Sequence, residues 1–237
     1  MVDEPLASGE APPLGTRVGA GYELVRFLGA GGMGAVYEAV APGGQRVAVK
    51  VLLRAAVQAE QGEMVERFAR EARVTAALQT PHVVPILDAG IDERSELPFM
   101  VMALLVGEDL ASLLERIGPL QPTVAARVFR QAAAALVAAH AEGIVHRDIK
   151  PANIFLDQDP QGRITIRLLD FGIAKWRSRD AALTRTGTML GTPHYMSPEQ
   201  CQSFKHAGPK SDIWSLAISL YETLSGRLPW RRRRGAR

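Results

Sequence analysis

The segment from His146 to Asn153 carries the residues whose types and spacing are best suited to chemistry. It reads His-Arg-Asp-Ile-Lys-Pro-Ala-Asn. Asp148 is placed to accept or orient the proton of a substrate hydroxyl, and Lys150 can neutralise charge on a transferred γ-phosphoryl group. The amide of Asn153 can supply a neutral oxygen to Mg²⁺, a hard cation that prefers oxygen ligands. The segment therefore predicts phosphoryl transfer to a hydroxyl group.

A second motif, Asp170-Phe171-Gly172, follows in the order that this chemistry needs. Its Asp170 can bind Mg²⁺ that bridges the phosphates of a nucleotide. Either motif alone could arise by chance, but both in this order and separation indicate a shared site. We therefore expect ATP as the phosphoryl donor, with Mg²⁺, or Mn²⁺ in its place, as the metal.

Glycines recur in the segment Gly29–Val36, which reads GAGGMGAV. Glycines at this spacing let the backbone approach phosphates and point N–H groups at them. Dinucleotide-binding folds use the same spacing, but there a helix begins at this point. Here the pattern continues as a strand, a turn and a second strand, which predicts a glycine-rich hairpin over a nucleotide.

Lys50 lies in the strand-like run 46–52, in which alternation puts Ala48 and Lys50 on one face under the glycine hairpin. There Lys50 can neutralise the α- and β-phosphates. Glu71 falls on the inward stripe of a predicted helix, where a carboxylate needs a cation. We expect Glu71 to hold Lys50 in place. A surface lysine on an edge strand is the alternative, and Glu71 favours the first interpretation.

The hydrophobic pattern supplies the elements that position these residues. Alternating runs predict strands over 22–28, 35–40, 46–52, 84–88 and 98–103. Amphipathic patterns predict helices over 61–78, 122–143 and 211–225. Strands followed by helices indicate an α+β protein in two lobes. We expect a β-rich N-lobe with one main helix at about 22–103 and a helical C-lobe at about 107–230.

Both ends of the chain differ in composition from these lobes. Residues 1–21 are rich in Pro, Gly and Ala without periodicity, which predicts a flexible leader. Five of the last seven residues, 231–237, are arginines, and without them the formal net charge of +3 becomes −2. A basic face over the whole domain is therefore not supported, and no nucleic-acid partner is expected. We interpret the tail as truncated or out-of-frame sequence, with a nucleic-acid or membrane-surface patch as the alternative.

Bulk properties exclude several other classes. The composition, 47% hydrophobic and 22% charged, is typical of a globular domain, and the lone Cys201 excludes a disulfide framework. The longest apolar stretch, 97–107, is about half of the ~20 residues that a membrane-spanning helix needs. The N-terminus lacks the apolar core of a secretory signal. We therefore expect no membrane segment and a cytoplasmic location.

On these motifs the chain from about Tyr22 to Trp230 resembles the eukaryotic-like serine/threonine protein kinases of bacteria. The resemblance implies the two-lobed protein kinase fold and transfer of the γ-phosphoryl group of ATP to Ser or Thr hydroxyls of protein substrates. Tyrosine kinases of this fold usually place alanine or arginine near Lys150, so the lysine supports Ser/Thr specificity. The resemblance leaves a kinase homodimer open as a partner.

The resemblance also implies a nucleotide site. Met102 stands at the gatekeeper position, and the main chain of Ala103 and Leu105 would bond adenine, although many relatives have glutamate in place of Ala103. The expected nucleotide-binding residues are Leu28, Gly29, Gly31, Gly34, Val36, Ala48, Lys50, Glu71, Met102, Ala103 and Leu105. The expected catalytic residues are Asp148, Lys150 and Asn153, and the expected metal ligands are Asn153 and Asp170.

An activation segment from Asp170 to Glu199 is implied as well. In similar kinases an arginine at the position of Arg147 pairs with a phosphothreonine of this segment. The implied autophosphorylation sites are Thr184 and Thr186, with Thr188 a weaker candidate. A phosphate of about −1.5 to −2 charge would order the segment against the arginine, and a solvated threonine-rich loop is the alternative.

Two further positions are expected to support the C-lobe. Asp212 resembles the helix residue that braces the catalytic loop. Glu199, in Ser197-Pro198-Glu199, pairs in the family with an arginine from a later part of the domain, which would continue for roughly 40 to 60 residues past Trp230. We therefore expect an incomplete C-lobe, an unpaired buried Glu199, and apolar surface exposed on the helix 211–225.

Two other functions stay open at this point. The first is a catalytically impaired kinase-fold binding or scaffold protein, which the expected truncation of the C-lobe favours. The presence of the whole catalytic set favours an active enzyme instead, of the non-specific serine/threonine protein kinase type. The second is a small-molecule phosphotransferase, a class that generally lacks a threonine-rich activation segment ending in a Pro-Glu motif.

Overall fold

A computed structural model describes residues 11–31, 34–54, 63–171 and 193–230 of the chain. The chain forms two compact units. The first unit comprises the described residues up to Ala77 together with Val84–Leu105. The second comprises Leu78–Val83 and the described residues from Val106 onward. Each unit has a hydrophobic core of its own. The first is rich in strands and the second in helices, which confirms the predicted α+β class.

The first unit is a six-stranded antiparallel sheet with one long helix. Its strands are β1 Arg17–Val18, β2 Tyr22–Gly31, β3 Gly34–Val40, β4 Arg46–Leu52, β5 Ile86–Ile91 and β6 Pro98–Ala103, in the spatial order β1-β2-β3-β4-β6-β5. The helix α1, Glu63–Ala77, contacts β5 and β6. It buries Phe68, Ala72 and Thr75, which lie on one face of the helix at helical spacing.

Alternation along β4 determines which residues face the core. Val47, Val49 and Val51 are buried in the core of the first unit. Since successive side chains of a strand point to opposite faces, Ala48 and Lys50 lie on the other face of the sheet. The five predicted strands are recovered as β2 to β6, with shifts of a few residues at some of their ends. The first of them, β2, extends as far as Gly31.

The prediction of a flexible leader is wrong for residues 11–21. Arg17 and Val18 pair with β2, and Val18 is buried in the core. The amide of Gly15 donates to the carbonyl of Leu24 at 2.7 Å. A strand of two residues is too short to show a period of two. The glycine at position 21 belongs to the turn between β1 and β2, where its φ is 113°.

The second unit combines a small sheet with helices. Its strands are β7 Gly107–Asp109, β8 Ile154–Gln158 and β9 Ile164–Leu168, paired in that order. Its helices are α2 Leu110–Ile117, α3 Pro122–Ala141, α4 Pro198–Gln202 and α5 Pro209–Ser225, with 3₁₀ turns at Pro151–Asn153, Pro193–Tyr195 and Phe204–His206. The sequence predicted no strand beyond residue 103, because strands of three to five residues leave little periodicity.

Helices α3 and α5 are in contact, and both bury small side chains. The buried residues of α3 include four alanines, and α5 buries a hydroxyl at every fourth position: Ser211, Ser215, Ser219 and Thr223. Ser219 and Thr223 each donate to the carbonyl four residues earlier, at 2.8 Å. These two hydroxyls are satisfied within their own helix, whereas Ser211 donates to Glu199 and Ser215 donates to the carbonyl of Tyr195.

The expectation of apolar exposure on the last helix is confirmed. Ile213, Tyr221 and Leu224 of α5 are exposed. Among the described residues, every helix is too short or too polar to span a membrane.

Candidate active site

The predicted nucleotide-binding residues of the first unit lie on neighbouring strands of its sheet. Gly29 pairs with Val36 across β2 and β3, Val36 pairs with Lys50, and Ala48 pairs with Met102 on β6. Directly opposite residues share a face, so Val36, Ala48, Lys50 and Met102 lie together on the face away from the valine core. The remaining predicted sheet positions are Leu28 and Gly31 on β2, Gly34 on β3, and Ala103 and Leu105 at and after the end of β6. Contact of this face with a nucleotide stays a prediction.

Glu71 lies on α1, in helical phase with the buried Phe68, Ala72 and Thr75. Its side chain lies outside the described part of the structure. The pairing of Glu71 with Lys50 therefore stays a prediction that rests on the position of Glu71 in the helix.

Positions 29 and 34 of the hairpin are occupied by glycine for different reasons. A Cβ atom on Gly34 would lie 2.7 Å from the carbonyl oxygen of Val51, closer than van der Waals contact permits. A Cβ atom on Gly29 would meet nothing within 4 Å. Packing within the protein therefore explains Gly34 but not Gly29, whose bare backbone suits the close approach of a ligand.

We expect alanine substitutions to separate these two reasons. Gly34→Ala should lower the free energy of unfolding by about 1–3 kcal/mol, because backbone must shift. Gly29→Ala should change stability by less than about 0.5 kcal/mol but weaken ATP binding severalfold. Urea melts and ATP titrations of the two variants test this. Equal ATP affinity for Gly29→Ala and the parent chain would contradict the ligand role of Gly29.

The predicted catalytic segment 146–153 is held by a carboxylate from α5. Asp212 is 1% exposed, and it accepts the backbone N–H of His146 at 2.8 Å and of Arg147 at 2.7 Å. Its Oδ2 atom also lies 2.8 Å from Nε2 of His140 on α3. Arg147 has a φ of 66°, a conformation that costs energy for a residue with a side chain. The predicted brace is confirmed, and it holds the loop in a strained shape.

Asp148, Lys150 and Asn153 form one cluster on this braced loop. Nδ2 of Asn153 donates to the carbonyl oxygen of Asp148 at 2.7 Å and to its Oδ2 at 2.9 Å. Nζ of Lys150 lies 3.4 Å from the same Oδ2. The amide nitrogen of Asn153 is thus committed to Asp148, which leaves the amide oxygen as the atom for an outside partner. A neutral oxygen is a ligand that fits Mg²⁺.

Asp170 follows a residue that is bonded to the same loop. The amide of Leu169 donates to the carbonyl of Asn153 at 3.0 Å, and Nε2 of His146 lies 2.9 Å from the carbonyl of Leu169. On the other side, the ring of Phe171 is buried with its centroid 4.6 Å from that of His146. Asp170 itself has a φ of 46°. Both predicted metal ligands therefore lie on backbone that the second unit holds fixed.

The predicted phosphorylation sites Thr184, Thr186 and Thr188 lie outside the described residues. The pairing of Arg147 with a phosphothreonine therefore stays a prediction.

The expectation that Glu199 is buried and unpaired is wrong. It is partly exposed and accepts Ser211 Oγ at 2.6 Å, and this hydrogen bond is the main reason why its pKa lies below the usual value. The expected unpaired carboxylate has a hydroxyl partner on α5.

Sequence reasoning missed several polar residues of the site. His140 lies on the alanine-rich α3, and Gln200 donates from Nε2 to the carbonyl of Arg147 at 3.0 Å. Glu38, opposite Ala48, is buried in an ion pair with Arg26 at 2.7 Å. A polar residue at an apolar position needs a partner, which was the signal available for His140 and Glu38.

Tyr195 and Glu222 form a further pair in the second unit. The hydroxyl of Tyr195 donates to Oε2 of Glu222 at 2.5 Å. Burial, this hydrogen bond and the negative charge of Glu222 together raise the pKa of Tyr195 well above its usual value. The folded chain therefore keeps this proton at a pH where the unfolded chain loses it.

We expect this pair to make the chain less stable in alkali. A raised pKa in the folded state favours folding below the unfolded value of about 10, and the benefit is lost as the pH rises beyond it. Tyr195→Phe should therefore show a shallower loss of stability than the parent chain between about pH 9 and about pH 11. Urea melts across that range measure the difference, with Tyr221→Phe on the exposed side of α5 as the control. Parallel curves for parent and Tyr195→Phe would contradict the prediction.

Comparison with known proteins identifies the family of this chain. A sequence profile for the protein kinase domain matches residues 22–237. The serine/threonine-protein kinase pkn2 of Myxococcus xanthus is 43% identical over 213 residues, covering 88% of this chain and 25% of pkn2. PknA of Mycobacterium tuberculosis is 41% identical over 225 residues, covering 93% of this chain and 50% of PknA. The chain thus spans half or less of the length of these relatives.

Solved structures agree with the sequence comparison. The PknI kinase domain of M. tuberculosis superposes with a TM-score of 0.71 at 29% identity, covering 95% of this chain and 80% of that domain. Rad53 in complex with AMP-PNP superposes with a TM-score of 0.68 at 26% identity, covering 90% of this chain and 50% of Rad53.

Proposed function

Since this chain belongs to the protein kinase family, we propose that it transfers the γ-phosphoryl group of ATP to Ser or Thr hydroxyls of protein substrates. The observation that carries the proposal is the cluster of Asp148, Lys150 and Asn153 on a loop braced by Asp212. The curated relatives described above are named serine/threonine-protein kinases, which supports the same substrate class.

The residues of the second unit divide the chemistry among them. Asp148 orients the attacking hydroxyl and accepts its proton, and Asn153 keeps the carboxylate of Asp148 in position through Nδ2. Lys150 offers a positive charge beside that carboxylate for the phosphoryl group in transfer. Asn153 and Asp170 would hold Mg²⁺, which neutralises charge on the phosphates when bound.

The residues of the first unit bind the nucleotide. The glycine hairpin covers the phosphates, and Lys50, held by Glu71, neutralises them. Adenine lies between the face of Val36 and Ala48 and the main chain that follows Met102. The complex of the related Rad53 with AMP-PNP, an ATP analogue, supports this assignment.

Control of the activity rests on residues outside the described part of the chain. Phosphorylation of Thr184 or Thr186 by the kinase itself would add charge that Arg147 can bind. A second copy of the chain is the proposed partner for that step. Because ATP is the donor, we also propose a cytoplasmic reaction.

The test is phosphoryl transfer by the purified chain. We expect label from γ-labelled ATP and Mg²⁺ to appear on the chain and on an added generic protein substrate, as phosphoserine and phosphothreonine alone. Binding of ATP without any label would favour the scaffold interpretation. Label on tyrosine would contradict the Ser/Thr assignment.

A further inference from the structure

A cavity of about 540 Å³ in the first unit is lined by arginines from three separate segments of the chain. Arg17 comes from β1, Arg54 follows β4, and Arg94 lies in the turn between β5 and β6. All three side chains belong to exposed residues. Convergence of guanidinium groups from distant parts of a sequence on one concave surface is a feature of anion-binding sites.

The turn that carries Arg94 is held rigidly by its own aspartate. Asp92, only 4% exposed, accepts the amide of Ser95 at 2.8 Å, its hydroxyl at 2.6 Å, and the amide of Gly19 at 2.9 Å. Burial by itself would raise the pKa of Asp92, but these hydrogen bonds outweigh it and lower the pKa. The carboxylate is thus committed to backbone and hydroxyl donors instead of the arginines.

The arginines differ in how far they are engaged. Arg54 donates from Nη2 to the carbonyl of Ser95 at 3.1 Å, which joins two walls of the cavity. Arg17 donates to Glu23 on β2 at 3.0 Å. Arg94 has no side-chain hydrogen bond or ion pair to any other described residue. Its guanidinium fork is the one best placed to take a ligand.

The charge of the lining favours an anion with more than one negative charge. Three arginines and one aspartate leave an excess of two positive charges on the lining residues. Glu93 and Glu96, in the same turn, are exposed and do not line the cavity. A phosphate monoester carries about −1.5 to −2 charge at neutral pH and presents oxygens that guanidinium forks bind in pairs.

We propose that this cavity binds a phosphate dianion, either the monoester of a phosphorylated peptide or free inorganic phosphate. Arg94 is its principal ligand, with Arg54 and Arg17 on the two sides. The proposal concerns binding and does not depend on the transfer reaction. Its failure is therefore distinguishable from failure of the proposed kinase activity.

The experiment uses the whole chain and two fluorescent pentapeptides that differ only in a central phosphothreonine or threonine. A saturating non-hydrolysable ATP analogue occupies the nucleotide site throughout. We expect the phosphorylated peptide alone to bind, and Arg94→Ala to weaken it about tenfold or more, the loss that follows from removing charged hydrogen bonds. Arg94→Lys should retain part of the affinity, because lysine keeps the charge but lacks the fork.

Controls separate a folded binding site from general attraction. Arg73→Ala removes an exposed arginine of α1 outside the cavity, and it should leave the affinity unchanged. Competition by inorganic phosphate at equal strength would identify the free ion as the ligand, and stronger binding of the peptide would identify a phosphorylated segment. Equal binding of both peptides, or equal losses in Arg94→Ala and Arg73→Ala with melting curves intact, would overturn the proposal.

Discussion

Replacement of Asp148 by asparagine should slow phosphoryl transfer about 100- to 10,000-fold, the range typical for loss of a general base. Asparagine has nearly the same shape, so the neighbouring Asn153 and Lys150 should keep their positions. The substitution removes the negative charge and the capacity to take a proton from the substrate hydroxyl. ATP affinity and melting temperature should change little, because Asp148 supports neither the nucleotide face nor the core. Initial rates with labelled ATP, next to ATP titrations, measure the effect.

A matched surface substitution controls for the loss of a charge. Asp159→Asn alters an aspartate in the turn between β8 and β9, whose side chain is 31% exposed and pairs with Arg163. Its transfer rate should stay within about twofold of the parent chain, as expected of surface substitutions away from a site. An Asp148→Asn chain as active as Asp159→Asn would show that another group accepts the proton.

Replacement of Asp212 by alanine should destabilise the second unit more than any other single change at the site. The substitution leaves the amides of His146 and Arg147, and Nε2 of His140, without their acceptor. Each buried donor left unsatisfied costs about 1–3 kcal/mol, so for three donors we expect a loss of about 3–9 kcal/mol. That is a large part of the 5–15 kcal/mol by which a typical domain is stable. Urea or thermal melts measure it directly.

The chain offers a close control for this prediction. Asp159 also accepts three hydrogen bonds, from the amides of Gln161 and Arg163 and from the side chain of Arg163, but at an exposed turn. Asp159→Ala should therefore cost less than about 1 kcal/mol, since water can replace the lost acceptor. If the two alanine variants melt alike, burial of the carboxylate is not what makes Asp212 important.

The residues proposed to perform chemistry could be predicted because they are close together in the sequence. Asp148, Lys150 and Asn153 lie within six positions, and the structure joins them through hydrogen bonds that such short spacing permits. Asp212 was recognised only by resemblance, since 64 positions separate it from Asp148. Its partner His140 was missed altogether. Long-range partners leave no local pattern, so only the need to satisfy a buried polar group points to them.

The errors about structure have a similar origin. The composition of residues 11–21 predicts a leader because Pro and Gly disrupt periodicity, yet β1 gains its pairing from β2 and its burial from the core. Glu199 was expected to need an arginine, but Ser211, 12 positions later in the sequence, supplies a hydroxyl. In both cases tertiary contacts supplied what local composition does not encode.

The hydroxyl stripe on α5 has a consequence for how the site tolerates change during evolution. Because the hydroxyls of Ser219 and Thr223 donate to carbonyls of their own helix, these two residues contribute volume to the contact with α3 and almost no polarity. The same helix carries Asp212. Substitutions that keep side-chain volume should therefore be neutral there, whereas larger side chains would push Asp212 away from the catalytic loop. Side-chain size at these buried positions should therefore affect the geometry of Asp148 through Asp212.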